Sequence, residues 1–297
     1  MIIVTGATGT LGSQIVDRLL QRVPAGTVGV SVRDVAKAVA LTERGVRVRA
    51  GDFTAPATLE HAFEGADQVL VISAAIRGDG AVAANLAAID AARAAGTKRI
   101  LYTSHQAASL DSLFLPQTTH AETEQYLALQ DVPFTALRNG FYTSTLGHYL
   151  GAALETGRLV APQDGPVSWT AHADLAEVAA VALARDGVLD GVTAPLTAPE
   201  MLDFEAVAGL LSDLTGRSIT RVVVGDEEWK AAVIERGMPP MAAEFSLGMF
   251  RASRRGEFAV TDPTLESVIG RSATSARTVL EAMVSGRSTP WDGRSTP

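Results

Sequence analysis

The strongest constraint on this chain lies in its first twelve residues. Met1-Ile2-Ile3-Val4 is an apolar run too short for a helix and suited to a buried strand. Thr5-Gly6-Ala7-Thr8-Gly9-Thr10-Leu11-Gly12 follows at once, and Ile15, Val16, Leu19 and Leu20 then recur at helical spacing. Strand, glycine turn and helix in that order turn a glycine pattern into a dinucleotide cradle. Gly6 allows the tight turn, Gly9 lets backbone N–H groups approach a pyrophosphate, and Gly12 lets the helix pack close to the strand. The start of the helix adds unpaired donors and partial positive charge. The competing reading is an ordinary strand-turn-helix corner, which has no use for three glycines at this spacing.

The rest of the first half repeats the alternation. Strands are expected at 27–32, 46–50, 69–73, 99–103 and 133–137, with helices at 36–44, 59–63, 81–95 and 119–129 between them. That order predicts an α/β fold, a doubly wound parallel sheet with helices on both faces. The pattern then loosens. Residues 141–156 read as one helix, and Asp174 with Glu177 fits a capping box opening another. Beyond Gly191 the chain reads as a smaller, mostly helical C-terminal substrate domain. Its helices are expected at 203–215, 226–236, 239–255 and 274–284, with a further helix opened by Asp262-Pro263 and a strand at 219–224. The expected division is a dinucleotide-binding domain over 1–152, with 166–187 packing back onto it, and a substrate-side domain over 153–284. Residues 285–297 end in a repeated Gly-Arg-Ser-Thr-Pro and read as a flexible tail or a cloning remnant.

Composition removes several chemistries. The chain has 297 residues and no cysteine, so disulfide, thiolate and cysteine-metal sites are out. No two of its five histidines have metal-ligand spacing, so no metal is expected. A net charge of −8 gives no reason to expect nucleic acid as a partner. No apolar run approaches a membrane span, and the N-terminus reads as core strand rather than signal peptide. A cytoplasmic protein is expected. A homodimer is compatible with the sequence but not required by it.

Candidate site residues cluster where strands end. Arg33 stands at the end of the second strand, where an acidic residue would select NAD. An arginine accommodates the 2′-phosphate of NADP instead. Asp34 is the competing ribose ligand, and Lys37 a candidate second phosphate contact. Asp52 ends the third strand, placed to accept from an adenine amino group or to do ordinary turn work. Ser73 and Ala74 end the fourth and are small enough to admit a ribose. Thr103 and Ser104 end the fifth. None of the four tyrosines has a lysine four residues later, so the Tyr-x-x-x-Lys proton relay of ordinary short-chain dehydrogenases is absent. His120 is the substitute. Thr119-x-x-Glu122 reads as a capping box, which would make His120 the first helical residue, held neutral by the helix dipole. Glu124, four residues on, would oppose that. Asn139-Gly140-Phe141-Tyr142 follows the sixth strand, with Tyr142 as cleft wall or proton donor. Met238, Met241, Phe245 and Met249 share one helical face suited to flat substrates, or to plain core.

Taken together, Gly6–Gly12, Arg33, Ala91–Gly96, Tyr102-Thr103-Ser104, His120–Glu124 and Leu137–Tyr142 resemble the NmrA-like atypical short-chain dehydrogenases. The likeness is greatest to the type 2 quinone oxidoreductases and triphenylmethane reductases, and it spans roughly residues 1 to 284. The resemblance implies a Rossmann-type domain binding NADPH, and hydride transfer to quinones or related conjugated acceptors without flavin. It matches His120 to the position where many family members carry Lys and the quinone oxidoreductases carry His, in keeping with a catalytic role there; the catalytic candidacy of Tyr142 rests on the residue argument above. It also implies cofactor contacts from Gly6, Thr8, Gly9, Thr10, Leu11, Arg33, Ser73, Ala74, Asn139, Gly140, Phe141 and Tyr142, which Asp52 joins on the residue argument above. The loop from Gln106 to Thr118 departs most from the family pattern. Two alternatives stay open: a non-catalytic NAD(P)-sensing regulator, and a tailoring oxidoreductase for polycyclic natural products.

Overall fold

The structure, a computed structural model, describes residues 1–76 and 80–286, so the tail expected to be flexible lies outside the described residues from 287 onward. In chain order the strands are β1 Ile2–Thr5, β2 Val28–Val32, β3 Arg47–Ala50, β4 Gln68–Val71, β5 Arg99–His105, β6 Phe134–Asn139, β7 Phe141–Tyr142, β8 Arg158–Pro162, β9 Trp169–Thr170, β10 Gly191–Val192 and β11 Thr220–Val224. The helices are α1 Thr10–Leu19, α2 Val39–Glu43, α3 Ala57–Phe63, α4 Gly80–Ala94, α5 Leu115–Ala128, α6 Gly147–Thr156, α7 His172–Ala184, α8 Phe204–Thr215, α9 Asp226–Glu235, α10 Pro240–Arg254, α11 Thr264–Ile269 and α12 Ala276–Val284.

Seven strands form one sheet in the order β10-β6-β5-β4-β1-β2-β3, every pairing parallel. From β1 the chain runs one way to β3, then returns to β4 on the other side of β1. That reversal opens a crevice at the carboxyl ends of β1 and β4, where doubly wound sheets bind their ligands. Leu11, Ile15 and Leu19 of α1 and Leu175, Val178 and Ala182 of α7 cover one face, while Leu59 and Phe63 of α3, Ile89 of α4 and Leu127 of α5 cover the other. A third core holds the C-terminal unit around Trp169, Phe204, Phe250 and Phe258.

The C-terminal half departs from the expected pattern in physical detail. The helix expected over 141–156 breaks into β7, a 3₁₀ turn over Thr143–Leu146, and α6. Phe141 and Tyr142 instead pair with Trp169 and Thr170 of β9. Gly140 makes that approach possible, because a Cβ there would lie 2.1 Å from the Thr170 hydroxyl oxygen. Two further strands were not expected. β10 joins the edge of the main sheet beside β6, and β8 is the partner of β11. The capping box at Asp174 and Glu177 is not formed, since α7 starts at His172 with Ala171 as its cap. Asp174 is fully buried and accepts from Arg271 at 2.6 Å and from the Thr274 backbone N–H at 2.6 Å, tying α7 to the approach to α12. Glu177 pairs with Arg18 and Arg22 of α1. Pro263 precedes α11 rather than occupying its first position, and Asp262 accepts from Thr264 N–H at 2.9 Å.

Candidate functional site

The glycine turn has the geometry its spacing predicts. Gly6 has φ +60°, a conformation that favours glycine, and Gly9 N–H closes the turn onto Gly6 O at 3.0 Å. A Cβ on Gly12 would lie 2.2 Å from Gly6 O, so α1 can begin this close to β1 only with glycine there. Thr8, Gly9, Thr10 and Leu11 complete the turn into α1. Arg33 follows β2 on the same sheet edge and is exposed. Asp34 is engaged locally, accepting from Ala36 N–H at 3.0 Å as the cap of a short 3₁₀ turn that carries exposed Lys37. Asp52 Oδ1 accepts from Thr54 N–H at 2.8 Å and Thr54 Oγ1 at 2.7 Å, the ordinary turn work. Those two bonds, with a smaller contribution from the Arg33 charge, hold its carboxyl below its usual pKa.

The segment after β4 is fixed by three side chains. Ile72 N–H donates to Thr5 Oγ1 at 2.9 Å, Ser73 N–H to Thr103 Oγ1 at 2.9 Å, and Ala74 N–H to Asn85 Oδ1 at 2.8 Å. Three neighbouring elements thus hold the rim of the crevice where Ser73 and Ala74 sit.

From this rim a cavity of about 1050 Å³ opens beneath the C-terminal unit. Ser73, Ser104, His105, His120 and the run Asn139 to Tyr142 line its sheet side. Phe114, Tyr149, Trp229, Met238, Phe245 and Met249 contribute apolar and aromatic wall. Met241 does not share this face and is exposed, so the methionine stripe is cavity wall at Met238 and Met249 only. Gly6, Arg33, Asp52 and Ala74 lie outside this cavity wall, along the same strand-end edge. No Asp or Glu lines the cavity among the described residues; its formally charged side chains are Arg158 and Arg236.

His120 lies in the second turn of α5, not at its start. The helix begins at Leu115, with Pro116 in its first turn fixing φ there. The dipole argument therefore does not apply, since the effect falls off within one turn. Burial instead lowers the His120 pKa to about 4. Glu124 does not act on His120 either. Both its oxygens meet Arg138, at 3.0 Å from Nε and 2.7 Å from Nη2, and Ser104 donates to Oε1 at 2.5 Å. Behind His120, its Nδ1 lies 2.7 Å from the Tyr102 hydroxyl.

Several site residues were not anticipated. His105 stacks on His120 with ring centres 6.1 Å apart, and burial with the neighbouring imidazole lowers its pKa to about 3. Gln106 is buried and places Phe141, accepting from its backbone N–H at 2.9 Å while donating to Phe258 O at 2.9 Å. Tyr142 packs on His172 at 4.1 Å between ring centres, and burial raises its phenol pKa. Phe141 is an aromatic plug against Phe114, Trp169 and Phe258 as much as a cavity wall. A histidine directly after Ser104 in the strand was the available clue to His105. Gln106 and His172 carried no local signal.

The fold and this edge define a class: a Rossmann-type dinucleotide-binding protein whose C-terminal unit roofs the carboxyl edge of the sheet. Within that class the chain belongs to the NmrA-like family, whose sequence pattern matches residues 1–282. It is 33% identical to quinone oxidoreductase 2 of Escherichia coli K12 over 93% of this chain and 96% of that protein. It is 34% identical to the NAD(P)H azoreductase of Xenophilus azovorans, over 92% of this chain and 94% of that one. The NADPH complex of the E. coli quinone oxidoreductase superposes with a TM-score of 0.91 at 30% identity, covering 96% of this chain and 100% of the other. The NADP(H) complex of Citrobacter triphenylmethane reductase superposes with a TM-score of 0.88 at 32% identity, covering 96% and 99%.

Proposed function

We propose that this protein is an NADPH-dependent reductase that transfers hydride to quinones or comparable conjugated acceptors and needs no flavin. The residues fit the cofactor on three counts. The Gly6–Gly12 turn leaves backbone where a Cβ would block the cradle. Arg33 is exposed beside the turn and takes the 2′-phosphate, with Asp52 nearby for the adenine. The Asn139 side-chain oxygen is buried at the cavity edge with no hydrogen-bond partner among the described residues, an acceptor suited to a carboxamide N–H. Thr8, Thr10 and Leu11 complete the pyrophosphate turn, Ser73 and Ala74 border the ribose, and Gly140, Phe141 and Tyr142 back the nicotinamide. The 1–152 domain holds the cofactor in this reading, and the 153–284 domain closes on the acceptor.

When bound, the dihydronicotinamide supplies a hydride. The chain's own residues do the rest. The aromatic and methionine wall holds a flat ring and excludes water. His120, neutral at ordinary pH, donates a hydrogen bond to the acceptor oxygen as negative charge develops there. Tyr142 walls the cleft. Without a Tyr-x-x-x-Lys relay, a simple ketone's alkoxide receives little help. A quinone becomes an aromatic phenolate and needs less. Arg158 and Arg236 favour acceptors bearing an acidic substituent.

The observation that carries this reading is His120 facing an apolar cavity that runs to the strand ends at Ser73 and Asn139. The test is NADPH oxidation against a panel of quinones and azo dyes with no added flavin. His120→Ala should lower kcat by roughly 10²-fold with NADPH affinity nearly unchanged. Tight NADPH binding without turnover of any acceptor would point to the sensing role instead.

A further inference from the structure

We infer that Asn85 and Tyr102 are positioning residues that hold His120 in the tautomer protonated on Nε2, so that the cavity always meets a hydrogen-bond donor. This rests on the reading of the cavity as the acceptor site, but the hydrogen-bond logic stands apart from it.

The polarity of the chain is set at its far end. The Ala74 backbone N–H lies 2.8 Å from Asn85 Oδ1, and a backbone amide can only donate. The Asn85 carboxamide is thereby oriented, with its NH2 pointing the other way. That nitrogen lies 3.1 Å from the Tyr102 hydroxyl and 3.4 Å from Thr123 Oγ1. Thr123 spends its own proton on Thr119 O at 2.8 Å, so both hydroxyl oxygens are free to accept. Tyr102 has one proton to give; Thr123 also bonds its hydroxyl, and of the two neighbours His120 Nδ1, 2.7 Å away, is taken as the acceptor of that proton.

A ring nitrogen that accepts carries no proton. The neutral imidazole must therefore carry its proton on Nε2. Burial keeps both partners in the required state, since it pushes the Tyr102 phenol pKa up and the His120 pKa down to about 4. Asn85 and Tyr102 are themselves fully buried, so water does not compete for these bonds. The stacked His105 ring, also neutral, holds the plane of His120 without supplying charge. The remaining nearby charges, Glu124 and Arg138, are spent on each other.

The relay has a reversible test. Selective ¹⁵N labelling of histidine lets imidazole correlation spectra report which ring nitrogen carries the proton. The parent protein should show His120 protonated on Nε2. In Asn85→Asp above neutral pH, the carboxylate still accepts from Ala74 N–H, but it now also accepts from the Tyr102 hydroxyl. The phenol oxygen then accepts from His120, the proton moves to Nδ1, and the cavity loses its donor. Quinone reduction by Asn85→Asp should fall by roughly 10²-fold in kcat, with NADPH affinity unchanged. Tyr102→Phe should give mixed tautomers and an intermediate loss. A parent spectrum with the proton on Nδ1 overturns the inference and needs no variant to fold. So does a folded Asn85→Asp protein that keeps the parent tautomer. An Nε2-protonated parent that reduces no quinone leaves the relay standing and removes the functional reading alone.

Discussion

Glu124 on α5 and Arg138 on β6 meet edge to edge, Oε1 3.0 Å from Nε and Oε2 2.7 Å from Nη2, with Ser104 of β5 donating to the same carboxylate at 2.5 Å. The pair joins the helix carrying His120 to the two strands that end at the cavity. Glu124 is 5% exposed, so its charge is tolerable only while these donors stay. Arg138→Met should leave a buried carboxylate without its partner and cost about 3 kcal/mol of stability. Arg138→Lys, one point charge in place of a planar fork, should recover only part of that. Denaturant melts of the two variants test this. Equal stability of Arg138→Met and parent would show that the pair does not hold the helix.

Two glycines should be intolerant for steric reasons rather than conformational ones. A Cβ at Gly12 would lie 2.2 Å from Gly6 O, and one at Gly140 would lie 2.1 Å from Thr170 Oγ1. Gly12→Ala must push α1 off the turn, so NADPH affinity should fall by more than tenfold. Gly140→Ala must separate β7 from β9, costing about 1–3 kcal/mol of stability, the usual cost of overpacking. Isothermal titration with NADPH and thermal melts separate the two effects. A Gly12→Ala protein with parental affinity would mean that the turn is not the pyrophosphate cradle.

The sequence was most legible where contacts are local. The β1 turn into α1 could be read because Gly6, Gly9 and Gly12 act on backbone within a few residues of themselves. That the first six strands form a parallel sheet followed from alternation. His120 was legible as a candidate but its surroundings were not. Its partners Asn85, Tyr102 and His105 come from α4 and β5, and no local spacing links them to it. The capping boxes failed for a related reason. Thr119 and Glu122 match the pattern, but Leu115-Pro116 starts the helix a turn earlier. Asp174 matches an N-cap, yet long-range bonds to Arg271 and Thr274 decide its place. β8 escaped notice because its strand character depends on β11, far along the chain.

Cofactor choice should rest on Arg33. The exposed guanidinium stands beyond β2, and Asp34, the competing ribose ligand, is occupied by Ala36 N–H. NADPH should bind at least tenfold more tightly than NADH, about 1.4 kcal/mol. Arg33→Ala should remove most of that difference by weakening NADPH alone. Fluorescence titration with both cofactors checks it, and equal parental affinities would exclude the role.

Stability should depend on pH through three buried imidazoles. Burial is the leading cause of depressed pKa values at His105, to about 3, at His120, to about 4, and at His172, to about 4. In the unfolded chain a histidine titrates near 6.5. Below that pH the unfolded state binds protons that the folded state refuses, so stability falls as pH drops from about 6.5 toward 4. The slope is about 1.4 kcal/mol per pH unit for each group fully in its window. Above about pH 7 these groups contribute no slope. Asp67, half-buried and lowered to about 2 by bonds from Lys98 and the N-terminus, acts only below this range. Urea midpoints at pH 7.5 and pH 5 should differ clearly, and His105→Gln should shrink the difference. Matching midpoints would mean that the imidazoles are not buried as neutral groups.

The charge of the cavity wall should show in substrate preference. Arg158 and Arg236 line it, and no carboxylate does so among the described residues, although the chain as a whole carries a net charge of −8. Arg158 starts β8, and its guanidinium has no hydrogen bond or ion pair within the described residues. Arg236 closes α9 and gives only its Nε, to Ala232 O at 3.1 Å. Both leave donors for an anion. Because both arginines are exposed, each contributes at most about 1 kcal/mol. A sulfonated naphthoquinone should therefore show a KM about threefold to tenfold below that of its neutral parent at low salt. The gap should close as ionic strength rises and the charges are screened. Arg158→Ala and Arg236→Ala should each narrow it without changing kcat on the neutral quinone, because the proposed function puts the reacting oxygen at His120. A KM that ignores both the sulfonate and the salt would show that these arginines face solvent and not the bound acceptor.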